Sequence, residues 1–80
     1  MTREEIRSAV LAALSDAAPE ADLARLAPDA ELRETLDLDS MDFLRFVQAI
    51  ATATGVEIPD ADAGRLATLT DCIAYLAART

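Results

Sequence analysis

The serine at position 40 lies among closely spaced carboxylates, and this is the group of side chains in the sequence that could take part in a chemical reaction. Asp37, Asp39 and Asp42 surround its hydroxyl. A serine that acts as a nucleophile needs a neighbouring base to accept its proton, yet the chain contains no histidine and no lysine. Nearby carboxylates also make an alkoxide harder to form. We therefore predict no catalytic residues, and we interpret Ser40 as a site that another protein modifies.

The same acids begin like a calcium-binding loop, with Asp37 and Asp39 two positions apart. Such a loop then requires an oxygen donor at its fifth position, glycine at its sixth and glutamate at its twelfth. Met41, Asp42 and Gln48 occupy those positions. Hydrolysis by paired carboxylates would need a substrate cleft, for which a small helical bundle has little room. The sequence therefore predicts neither a metal site nor an enzyme.

The net charge of −8 is concentrated in one stretch, residues 29–42, which we call the acidic segment. It contains six acidic residues and a single base, Arg33, so it carries −5 of the total. Nucleic-acid binding requires the opposite sign of charge and is excluded, and anionic membranes are disfavoured for the same reason. Partners with a basic patch, attracted through a salt-sensitive field, are the expected counterparts.

Eighty residues, 52% of them hydrophobic, predict a single folded domain spanning residues 1–80. Apolar runs such as residues 9–14 are too short to cross a bilayer. The first residues do not form a signal-peptide pattern, so we expect a cytoplasmic protein, and a monomer. Cys72 is the only cysteine; it cannot form an internal disulfide, and we expect a small buried residue there rather than a reactive thiol.

Helix start and stop signals divide the chain into three main helices. The first begins with a capping-box spacing at Thr2 and ends before Pro19, and the central helix begins at an Asp39 cap and stops at Gly55. The last begins at a similar box at Thr68. We predict an all-α bundle with one further short helix after residues 58–60 and a long loop, residues 19–39, between the first two main helices. The predicted apolar face of the central helix comprises Met41, Phe43, Leu44, Phe46, Val47 and Ile50.

The motif Leu38-Asp39-Ser40-Met41, with Val56-Glu57-Ile58-Pro59 after the central helix, resembles the acyl carrier protein family. The resemblance covers essentially the whole chain. It implies that a phosphopantetheinyl transferase attaches the 4′-phosphopantetheine group of coenzyme A to Ser40. The arm would then carry acyl groups as thioesters between the acyl-loading and acyl-processing enzymes of fatty acid, polyketide or related synthesis. Asp37, Asp39, Met41 and Asp42 are the expected partner-recognition residues.

Two features depart from the family pattern. Asp37 stands where a glycine is common, and the central helix continues with Arg45 and neutral residues where several acids are common. We therefore expect recognition to be concentrated at the helix start, with a dedicated set of partners. Two alternatives stay open: an aminoacyl or peptidyl carrier of a nonribosomal pathway, and an armless acidic helical module that binds a basic protein.

Overall fold

The computed structural model describes residues 1–80 and contains only helices, turns and loops, which confirms the predicted all-α fold. The α-helices are α1 (Arg3–Ala17), α2 (Leu32–Thr35), α3 (Ser40–Thr54) and α4 (Leu69–Ala77). Two 3₁₀ segments, Leu23–Arg25 and Asp60–Arg65, lie in the connections. The second of them is the predicted short helix, and α2 is a single turn within the predicted long loop. No helix is both long enough and apolar enough to span a bilayer.

The predicted caps at the helix starts are largely present. Thr2 and Glu5 form a reciprocal capping box, in which Thr2 Oγ1 accepts from the Glu5 N–H at 3.1 Å and Glu5 Oε1 accepts from the Thr2 N–H at 2.9 Å. The bond from the Thr2 backbone lowers the pKa of the Glu5 carboxyl below its usual value. At α4 only half of the predicted box forms: Thr68 Oγ1 accepts from the Asp71 N–H at 3.0 Å, and the Asp71 side chain returns no bond.

The core lies where α1 packs against both α3 and α4. Because helical neighbours recur every three to four residues, each helix contributes one apolar stripe. The fully buried side chains of these three helices are Ile6, Val10, Leu14, Phe46, Ile50, Leu69, Cys72 and Leu76. The predicted face of α3 was too broad: Met41 is 59% exposed and Leu44 is 41% exposed, because both lie on the side of α3 away from the core.

Two backbone hydrogen bonds hold the long loop against the start of α4 and the connection before it. The Leu32 N–H donates to the Ala67 carbonyl at 2.8 Å, and the Thr70 N–H donates to the Pro28 carbonyl at 3.0 Å. The Leu32 side chain is fully buried beside these bonds. A loop with both backbone and side-chain anchors has a defined path, and this path places α2 next to the start of α3.

Specific contacts also fix the exit from α3 and the position of the last helix. Gly55 ends α3 with a φ of 72°, the left-handed conformation that favours glycine, as predicted. The buried Tyr75 of α4 donates from its hydroxyl to Asp62 Oδ2 at 2.6 Å, which ties the Asp60–Arg65 segment to α4. This bond raises the pKa of Tyr75. The Arg79 guanidinium lies 3.6 Å from the centroid of the Tyr75 ring, a cation–π contact.

Candidate functional site

Ser40 is the first residue of α3, and its side chain is exposed. Asp39 caps the helix as predicted: its Oδ1 accepts from the Asp42 N–H at 2.8 Å, and Asp42 Oδ2 accepts from the Asp39 N–H at 3.3 Å. These bonds hold both carboxylates against the helix backbone. The Ser40 hydroxyl is thus presented to solvent at the positive end of a 15-residue helix.

A tight turn between α2 and α3 brings the acidic segment up to the serine. Asp37 has a φ of 53°, the only positive φ among the non-glycine residues. The N–H of the following residue, Leu38, donates to the Arg33 carbonyl at 2.9 Å. This is the long hydrogen bond of a Schellman motif, in which the left-handed position is usually glycine. The side chain of Leu38, the residue after the left-handed position, is buried, which is common in this motif.

The turn reverses the chain so that Arg33 faces Ser40. Arg33 Nη2 donates to Ser40 Oγ at 3.3 Å. The centre of the guanidinium also lies 5.6 Å from the centroid of the Phe43 ring. Sequence reasoning did not assign Arg33 to the site. The signal that could have found it is its position as the sole base of the acidic segment, seven residues before Ser40.

The other residues predicted for the site lie around Ser40 on the first turn of α3 and on the loop before it. Asp37, Asp39 and Met41 are exposed, and Asp42 is half-buried. Asp37 and Asp42 also line an open groove of about 590 Å³ between the end of α1 and the acidic segment. Ser40 and Met41 do not line this groove, so the groove and the serine are separate features of the surface.

These residues suit a phosphoester on the serine oxygen. Backbone N–H groups at a helix start favour an anion, and a guanidinium beside the hydroxyl adds a cationic donor. The nearest acids, Asp39 and Asp42, already accept hydrogen bonds from each other's N–H groups. An exposed hydroxyl can also be reached by another protein. No group of three or more histidine, cysteine, aspartate or glutamate side chains is arranged to hold a metal ion.

The left-handed Asp37 gives a stability prediction. Asp37→Gly and Asp37→Ala remove the same charge, but only glycine relieves the steric conflict at positive φ. We expect the glycine variant to be more stable than the alanine variant by about 1 kcal/mol in urea unfolding. Glycine normally destabilises a chain relative to alanine, so an alanine variant of equal or greater stability would show that this turn is not strained.

Comparison with protein families agrees with this geometry. A family model described as "Phosphopantetheine attachment site" matches residues 8–76. An acyl carrier protein from Rubrobacter xylanophilus is 32% identical over 76 residues, which cover 95% of this chain and 93% of that protein. An acyl carrier protein from Campylobacter hominis is 36% identical over 73 residues, covering 91% of this chain and 86% of the relative.

A solved structure is similar over the whole fold. The solution structure assigned to an acyl carrier protein from Anaplasma phagocytophilum has a TM-score of 0.88 against this chain, with 28% sequence identity. The alignment covers all of this chain and 93% of that one. Sequence and structure therefore point to the same group of proteins.

Proposed function

The chain belongs to the acyl carrier protein family, and on this premise we propose that Ser40 is the residue to which its 4′-phosphopantetheine group is attached. The prosthetic group follows from the family, and so does the role of a carrier rather than an enzyme. The observation that supports Ser40 is its exposed hydroxyl on the first residue of α3, beside Arg33 and behind the Asp39 cap.

When bound, the group supplies a terminal thiol that carries an acyl chain as a thioester. Ser40 contributes the oxygen of the new phosphodiester, and adenosine bisphosphate leaves from coenzyme A. The serine proton must pass to a base, and the one side chain that is hydrogen-bonded to the hydroxyl, Arg33, is a donor and cannot accept it. We propose that a phosphopantetheinyl transferase supplies that base.

Interaction with a synthase and with acyl-processing enzymes is part of a carrier's role. We propose that they dock around Ser40 through Asp37, Asp39, Met41 and Asp42. Exposed Met41 offers an apolar contact, and the carboxylates would attract a basic patch. Each charged contact at such a rim contributes about 1 kcal/mol or less and weakens with salt.

The pathway we propose is fatty acid, polyketide or related specialised synthesis with a dedicated set of partners. The charge pattern supports this: the acids precede Ser40, whereas α3 continues with Arg45 and then neutral residues. We further propose that residues 1–80 act as one domain and as a monomer, because only three large apolar side chains are exposed. We propose a cytoplasmic carrier, because the first residues have no signal-peptide pattern.

The attachment site is tested by intact mass after incubation with coenzyme A, magnesium and a broad-specificity phosphopantetheinyl transferase. The chain has three serines, so Ser15→Ala on the exposed surface of α1 is a matched control for Ser40→Ala. We expect the original protein and Ser15→Ala to gain one phosphopantetheinyl group, and Ser40→Ala to gain none. An unchanged mass of the original protein would refute the carrier function, and loading of Ser40→Ala would refute the site.

A further inference from the structure

Arg33 lies in the most acidic part of the chain, yet its guanidinium contacts no carboxylate. The only salt bridge within 4.0 Å joins Arg25 to Asp22 at 3.4 Å. The polar contact of the Arg33 side chain is instead with Ser40, where Nη2 donates to the hydroxyl oxygen at 3.3 Å. The Arg33 guanidinium pairs with none of the neighbouring carboxylates and faces a neutral hydroxyl. Its positive charge is therefore available to bind an anion at that oxygen.

The backbone of Arg33 is held at both of its polar groups. Its N–H donates to Glu31 Oε1 at 3.2 Å, and its carbonyl accepts from the Leu38 N–H at 2.9 Å. The guanidinium is placed further by the Phe43 ring, whose centroid is 5.6 Å away. The direction of the side chain toward Ser40 therefore follows from the α2 turn and the first turn of α3, so a group on the serine meets a donor that is already oriented.

We propose that Arg33 binds the phosphodiester of the prosthetic group once Ser40 is loaded, and so restrains the base of the arm. The inference rests on the proposed attachment at Ser40. In the loaded protein the Ser40 oxygen would become a bridging oxygen of the phosphodiester, and Arg33, whose Nη2 is 3.3 Å from that oxygen, would hold the charged oxygens on the same phosphorus. A guanidinium binds phosphate through charge-assisted and often paired hydrogen bonds.

The contact has an electrostatic consequence for the carrier. Loading adds a negative charge to a segment that already carries −5, and repulsion alone would make the loaded protein less stable than the unloaded one. Arg33 compensates that charge at the position where it is added. Arg45, on the helix α3 that begins with Ser40, does not take this role, because it lines a groove with Asp16 and Asp42.

The test compares Arg33→Gln and Arg33→Lys with Arg45→Gln, which removes one positive charge from an exposed site on α3. Mass spectrometry first establishes that each sample is loaded at Ser40. Melting temperatures of unloaded and loaded forms are then measured at low salt. We expect loading to lower the melting temperature of Arg33→Gln by about 3–5 °C more than that of the original protein or of Arg45→Gln, with Arg33→Lys in between.

A second measurement on the original protein does not depend on any variant being a substrate of the transferase. Loading is expected to shift the NMR resonance of the Arg33 guanidinium Nε–H and to leave that of Arg45 in place. Equal temperature changes for Arg33→Gln and Arg45→Gln, or an Arg33 resonance that does not move on loading, would overturn the proposal. A sample that takes no group at Ser40 would instead refute the attachment site, and this inference with it.

Discussion

Phe46→Ala is expected to remove a large part of the free energy of unfolding of this protein. Phe46 is the largest of the fully buried side chains and lies on α3, which packs against α1. Truncating a buried phenylalanine to alanine costs about 3–5 kcal/mol through lost burial and the cavity left behind. At about 0.05–0.15 kcal/mol per residue, a domain of this size has a total stability of only about 4–12 kcal/mol. The loss is measured by urea unfolding followed by circular dichroism.

The damage should extend to the site. Phe46 packs against Phe43 with their ring centroids 5.8 Å apart, and Phe43 in turn lies beneath the Arg33 guanidinium. We therefore expect Phe46→Ala to be a poorer substrate for the transferase, because the start of α3 would be less well ordered. Leu44→Ala on the exposed side of the same helix is the matched control and should cost less than about 1 kcal/mol. If both variants unfolded at the same urea concentration, the proposed core would be wrong.

Cys72 is expected to be almost inert to thiol reagents in the folded protein. Its side chain is fully buried, and its Sγ donates to the Leu66 carbonyl at 3.6 Å. Burial raises the pKa of the Cys72 thiol from 9.0 to about 12. The thiolate is the reacting species, so at pH 8 its population should fall by about a thousandfold, one factor of ten for each pKa unit. Rates of alkylation by iodoacetamide in buffer and in urea measure this difference.

Unloaded protein, or Ser40→Ala, should be used for this experiment, because the proposed arm adds an exposed thiol. In the loaded protein we expect one fast thiol, from the arm, and one slow thiol, Cys72. Rapid labelling of Cys72 in the native unloaded protein would show that α4 opens readily, contrary to its buried position.

The raised pKa of Cys72 also predicts how the free energy of unfolding changes with pH in the alkaline range. The folded protein keeps the Cys72 proton up to about pH 12, whereas the unfolded chain releases it near pH 9. Between these values the folded state binds more protons, so the free energy of unfolding decreases as pH rises, by at most about 1.4 kcal/mol per pH unit. This contribution is fully present below pH 9. Unfolding in urea at several pH values should show the decrease, and Cys72→Ala should show a smaller one.

Local sequence signals determined where most helices begin and end. A cap and its partner are three residues apart, so the pairs Thr2–Glu5 and Asp39–Asp42 could be identified directly from the sequence. Gly55 as a helix stop depends only on its own backbone freedom. The exposed position of Ser40 follows in the same way, because a residue just after a cap lies in the first turn of its helix.

Position within a helix did not determine which side faces the core. Met41 and Leu44 are apolar and were predicted to lie on the core face of α3, but the packing of α1 against α3 leaves both exposed. The bond between Tyr75 and Asp62 joins residues 13 positions apart and has no local signal. Such contacts depend on how helices are arranged in space, and composition and periodicity do not specify that arrangement.

The sequence by itself therefore determined a helical carrier-like chain with an acidic segment and a capped, exposed serine. Only the tertiary structure decided that Arg33 faces Ser40. That contact requires the left-handed turn at Asp37 and a loop anchored through Leu32 to the Ala67 carbonyl. The physical reason is that the two side chains meet only where the chain reverses at Asp37, and the path of the loop that carries Arg33 also depends on its anchor to the connection before α4, which no short motif encodes.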